Sequence, residues 1–175
     1  MGRILAPNAF TTPPRCDITM DAKSILTPLL EDAMSRSDLE RVTTLYLESM
    51  NKHDPEALAA LYAPDCVVES PLFASLQGRA AVEESYRQWF RIFPDVEFRP
   101  ESVVIDPPAA AVLTRNSATH AGELLGLPPT HKKIEFRTMR LVTVADGLIT
   151  SERRIYDFTG LLVQLGVLRA KPAKP

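Results

Sequence analysis

The chain has 175 residues, 45% of them hydrophobic and 24% charged, and a formal net charge of −2. That length and balance predict a single soluble globular domain with enough apolar residues for a sizeable core. The arginines are interleaved with acids rather than gathered into a stripe, which excludes a nucleic-acid-binding reading, and no apolar run approaches the ~18 residues of a membrane span.

The first 35 residues, rich in proline and weakly patterned, read as an irregular arm with a short helix broken at Pro28. "MGRILAPNAFTTPPRC" has no basic-then-apolar signal pattern, and Met20 is an alternative start. Cys16 and Cys66 form no CxxC or Cys/His cluster, which predicts free thiols and a reducing, cytoplasmic setting. Cys66, beside Val67 and Val68, is expected to be buried.

Residues 36–168 carry the structured pattern. A helix over 38–53, capped by Ser35 or Ser37, places Leu39, Val42, Leu45, Tyr46 and Met50 on one face. A second follows over 54–63, with Asp54 as cap, Pro55 at its first position and Pro64 as its stop. "DCVVESPL" is a short strand ended by Pro71. A third helix, "GRAAVEESYRQWFRIF", aligns Val82, Tyr86, Trp89, Phe90 and Phe93 and ends before Pro94.

From Asp95 the period changes to that of strands. Four segments follow, over 95–106, 109–122, 131–145 and 148–158, with "DPP" at 106–108 and "ADG" at 145–147 as turns. Helices first and antiparallel strands after predict an α+β fold in which one sheet wraps around helices and leaves a pocket. Residues 169–175 are a Lys/Pro/Ala tail.

Alternation assigns faces in the last strand. Ile149, Ser151, Arg153, Ile155 and Asp157 share one, and Thr150, Glu152, Arg154, Tyr156 and Phe158 the other. Asp157 has two readings. It caps a terminal helix, or it stands beside Ile155 on the cavity side, where burial would raise its pKa toward that of a general acid/base. His120 is the second proton-handling candidate. Arg153 lies about 13 Å from Asp157 along the strand, a span that fits a ligand of two or three rings; Arg140 and Arg115 are alternatives on neighbouring strands. Trp89, Phe90 and Tyr86 form the apolar wall or the core beneath it, and Glu69 is the candidate second acid. The histidines show no ligand spacing, so no metal is expected, and no phosphate or dinucleotide loop is present.

Five words in order carry a resemblance: "FPD" at 93–95, "THAGELLGLPPT" at 119–130, "IEF" at 134–136, "DGLI" at 146–149 and "YDFTGLLVQLG" at 156–166. Over about residues 38–168 the chain resembles the SnoaL-like polyketide and ester cyclases. The resemblance implies the cone-shaped fold of the nuclear transport factor 2-like superfamily: a curved antiparallel sheet, three helices enclosing a hydrophobic pocket, and a homodimer formed across the sheet. It also implies cofactor-independent aldol cyclisation of a polyketide-like ester or another small hydrophobic carbonyl compound. Asp157 matches the family's general acid/base and His120 its histidine; many relatives carry tryptophan where Arg153 stands. A ketosteroid-isomerase-like isomerase or dehydratase, and a binding module without catalysis, are the alternatives.

Overall fold

The computed structural model describes residues 35–169; the expected arm and its short helix, Cys16 and the end of the tail lie outside them. Helix α1, Arg36–Lys52, opens on Ser35, whose hydroxyl accepts the Asp38 N–H while the Asp38 carboxylate accepts the Ser35 N–H. This reciprocal box satisfies donors that the first turn cannot bond internally. Helix α2, Pro55–Ala60, is capped by Asp54 as expected.

The chain then enters β1, Tyr62–Ser70, earlier than the sequence reading placed it. Pro64 sits inside β1 rather than stopping α2. It is tolerated there because pairing with the neighbouring strand shifts between Tyr62 and Val67, so the missing N–H breaks no ladder bond. Strand β2, Ala74–Gln77, was not anticipated; it is short, mostly exposed and without alternation. Helix α3, Arg79–Ile92, buries Val82, Ser85, Tyr86 and Ile92.

Four long strands follow: β3, Glu97–Asp106; β4, Ala109–Thr119; β5, Lys133–Ala145; and β6, Leu148–Tyr156. Asp146 and Gly147, both with positive φ, make the two-residue turn between β5 and β6 that "ADG" predicted. Helix α4, Phe158–Leu165, ends on Gly166 with φ of 82°, and the Lys132 ammonium bonds its last carbonyl at 3.0 Å.

The six strands form one sheet in the order β2-β1-β6-β5-β4-β3, antiparallel throughout except for the parallel β1–β6 pair. The fold is the expected α+β arrangement of a curved open sheet, with α1–α3 ahead of the long strands and α4 as a fourth helix. Its core includes Leu39, Met50, Leu58, Val82, Phe93 and Ile149, all close to fully buried, and Cys66 is buried among them. No helix of the described residues is long and apolar enough to cross a membrane.

Candidate active site

The site begins with a break in the β5–β6 ladder. Ala145 pairs with Leu148 and Val144 with Ile149, yet Thr143 pairs with Ser151, so Thr150 is an extra residue in β6. A bulge of this kind reverses which residues face the core. Ile149 is buried, and beyond the bulge it is Glu152 and Arg154 that turn inward while Ser151, Arg153 and Ile155 turn out. The same shift sets Arg154, not Arg153, directly opposite Arg140.

Like charges placed opposite each other repel, and here a carboxylate lies between them. Glu152 Oε2 accepts from Arg154 Nη2 at 2.9 Å, and Arg140 Nε lies 3.5 Å from Oε1, attractive in charge though not aligned as a hydrogen bond. Tyr46 donates to Oε1 at 3.0 Å and Tyr62 donates a short bond to Oε2. The Tyr86 hydroxyl accepts from Arg154 at 2.9 Å and lies 2.8 Å from that of Tyr46 and 3.2 Å from that of Tyr62. All six side chains are buried.

Counting protons locates the adjustable group. Tyr46 and Tyr62 each commit their single proton to Glu152, so only Tyr86 has an O–H free to turn. Burial works to raise the Glu152 pKa, but Arg154, Arg140 and the Tyr62 bond outweigh it and hold the carboxylate below its usual range. Burial pushes the phenols of Tyr46, Tyr62 and Tyr86 upward, so they stay neutral. Burial also opposes the charge on Arg154, and Glu152 together with the neighbouring groups outweighs it. The cluster therefore holds two positive charges against one negative.

The surplus charge faces a narrow cavity of about 20 Å³, room for little more than one water molecule. Tyr86, Arg140, Arg154, Ser70, Thr138 and Tyr156 form its polar wall, and Met50, Phe73, Trp89 and Phe136 its apolar one. The Nε atoms of Arg140 and Arg154 are buried without an acceptor. An unbonded buried donor is costly, and that of Arg140 has Glu152 Oε1 3.5 Å away. No described residue lining this cavity is a carboxylate or a histidine.

Several expectations are corrected. Asp157 is exposed, and its carboxylate accepts the Gly160 N–H at 2.8 Å, so it is the cap of α4 rather than a sheltered acid. His120 is buried away from the cavity lining. Its Nδ1 accepts the Thr130 N–H at 3.1 Å, which puts its neutral-state proton on Nε2, and burial lowers its pKa. Arg153 bonds Glu69 at 2.6 Å on the outer face, where Ile155 is 57% exposed. Phe90 stacks on His53 at 4.8 Å beside a separate surface depression. Tyr86 and Trp89 do line the cavity.

The sequence reading missed Glu152, Arg154, Tyr46 and Tyr62, and held Arg140 only as an alternative to Arg153. One signal was available: the chain has four tyrosines, and all four sit in this cluster or on the cavity wall.

A curved open α+β sheet packed with helices is the ketosteroid-isomerase-like fold. The sequence model of the SnoaL-like polyketide cyclases matches residues 40–165, and the chain belongs to that family. Among curated relatives, the steroid Delta-isomerase of Nocardioides simplex is 43% identical over 51 residues, 29% of this chain and 42% of that protein. The nogalonic acid methyl ester cyclase of Streptomyces nogalater is 40% identical over 47 residues, 27% of this chain and 35% of that protein. The matched stretches thus span less than half of either relative. Among solved structures, AclR from Streptomyces galilaeus superposes with a TM-score of 0.70 at 22% identity, covering 79% of this chain and 87% of that one. IdmH from Streptomyces antibioticus gives 0.63 at 26% identity, covering 76% and 99%.

Proposed function

We propose that the protein is a cofactor-independent cyclase or isomerase acting on a carbonyl compound with an acidic C–H. The observation that carries this is the pair of buried guanidiniums, Arg140 and Arg154, which share one carboxylate and both line the cavity, leaving a surplus positive charge there. A carbonyl oxygen placed there becomes negative when its α-carbon loses a proton. Fixed donors in a water-poor site stabilise that charge far better than water does.

The proton has a bonded route. It passes from the α-carbon to the Tyr86 oxygen as the Tyr86 proton moves to Tyr46 or Tyr62, whose own proton goes to Glu152. The total charge of the site does not change. The enolate replaces Glu152 as counter-ion of the arginines, so the interaction that makes Glu152 a weak base is transferred to the product of the step. The enolate carbon then attacks a second carbonyl of the same molecule to close a ring, or is reprotonated at another carbon. Holding the reacting carbons together accounts for as much as ~7–11 kcal/mol of such a barrier.

The test uses an alkyl 2-oxocyclohexane-1-carboxylate, a β-keto ester that is un-ionised at neutral pH and whose enolate absorbs in the ultraviolet. Binding is expected to lower its ionisation by about one pH unit or more, and Arg154→Met to abolish that shift. Tyr86→Phe is expected to slow deuterium exchange at the ligand α-carbon by roughly 10²-fold. Unchanged behaviour in both variants refutes the reading. The lack of a carboxylate or histidine among the described lining residues favours a second reading, ligand binding without turnover. That reading predicts tight binding with exchange at the solvent rate.

We further propose that two copies pair through the outer sheet face. Leu113, Met139 and Ile155 are direct cross-strand neighbours there, with Met139 and Ile155 exposed. Ile155→Asp is expected to yield monomers in sedimentation.

A further inference from the structure

Phe73 stands between two spaces. It is part of the wall of the inner cavity, and it also lines a wider surface groove with Leu72, Ile92, Arg91 and Leu124. Among the described lining residues it alone is shared. The groove offers about 350 Å³ against about 20 Å³ inside.

The far rim of the groove is Leu125, which is 75% exposed. An apolar side chain so exposed usually carries no message, but this one is held in place. Leu125 and Gly126, with φ of 50° and 81°, form the tip of a turn closed by two backbone bonds between Leu124 and Leu127, of 3.0 and 2.8 Å. The base of the same loop is fastened to the end of α3, where Ala121 and Gly122 both donate to the Ile92 carbonyl at 2.9 and 3.0 Å. Gly122 makes this approach possible, because any Cβ there would run into the Arg91 carbonyl.

We infer that the ligand is elongated, with a carbonyl-bearing head at Arg140 and Arg154 and an apolar tail that leaves past Phe73 and lies along the groove to Leu125. This rests on the carbonyl reading of the cavity and adds length to it. Phe73, in the turn between β1 and β2, is then the residue that sets which heads enter and how the tail is bent. The inner cavity, at about 20 Å³, admits little beyond the carbonyl end of the head, so the rest of the ligand lies toward Phe73 and the groove.

The test is calorimetry of the intact chain with 2-acetyl- and 2-octanoyl-cyclohexane-1,3-dione. A fully buried methylene tightens binding about fourfold, and one in a half-open groove about twofold. The octanoyl compound is therefore expected to bind more than about tenfold tighter than the acetyl one. Leu125→Asp, which accepts the turn geometry, is expected to reduce that ratio several-fold. Phe73→Ala is expected to change the ratio and to admit heads branched next to the acyl carbon. If the acetyl compound binds in an Arg154-dependent way while the ratio stays near one, the tail assignment is wrong and the head site stands. A ratio that Leu125→Asp and Phe73→Ala both leave untouched also overturns it, since the tail then lies elsewhere. Failure of the acetyl compound to bind, or equal binding by Arg154→Met, refutes the head site and the tail with it.

Discussion

Arg153 and Arg154 are consecutive in β6 and serve opposite faces of the sheet: Arg153 bonds Glu69 in solvent, Arg154 bonds Glu152 in the interior. Their losses should differ accordingly. Arg154→Met leaves a buried carboxylate short of a partner and is expected to cost about 3–5 kcal/mol. The Arg153–Glu69 pair is more than half exposed, so Arg153→Ala is expected to cost no more than about 1 kcal/mol. Urea unfolding of both variants checks the contrast, and equal losses would contradict the assigned faces.

Acid should weaken the fold through Glu152. Its folded pKa is depressed, so the unfolded chain takes up the proton first. The stability it contributes is complete above about 4.5 and is lost as pH falls through the lower folded value. Glu101, pushed down to about 2 by Arg137 and Arg115, adds to the same window from the surface. Glu152→Gln in a Glu101→Gln background is expected to flatten the acid limb of the unfolding midpoint. It should also lower stability at neutral pH, because both guanidiniums lose their counter-charge.

His120 should act at higher pH. Burial depresses its pKa from 6.5, so stability is complete above about that value and falls as pH drops below it. Replacement by Asn is expected to remove the component of pH dependence that begins near neutrality, read from unfolding midpoints across that range.

Asp157→Ala should cost about 1 kcal/mol through the lost cap, and Asp157→Asn, an equally good cap, close to nothing. Ligand affinity is expected to be the same in both. A large loss of α-proton exchange in Asp157→Asn would return that residue to the chemistry.

Gly122→Ala forces its methyl against the Arg91 carbonyl and the Ile92 backbone, neither of which can yield as a side-chain tip would. A loss of about 1–3 kcal/mol is expected in denaturant unfolding.

Much of the fold was legible. The apolar stripes of α1 and α3, the Asp54–Pro55 start of α2 and the Asp146–Gly147 turn are local features, and each was found where its chemistry pointed. The motif words fixed the family because they include Gly122 and His120, which hold one loop against α3. The site was not legible from β6 alone. An unbroken hairpin through Ala145 and Leu148 would set Arg153 opposite Arg140, and only the extra residue at Thr150 puts Arg154 there. Asp157 could be read both as cap and as acid because its neighbours support either, and the Gly160 bond decides it. Glu152 gave no local sign, since Tyr46 and Tyr62, which bond it, lie 106 and 90 residues away.

The one parallel pairing in the sheet sets the first strand beside the last. A nascent chain that has emerged only as far as β5 has α1–α3 and the apolar wall but lacks α4, the acid and one of the cations. On the proposed reading, the ligand site is thus completed only when translation of the domain is nearly finished. Fragments truncated before Leu148 should be blind to the ligand however well their helices form.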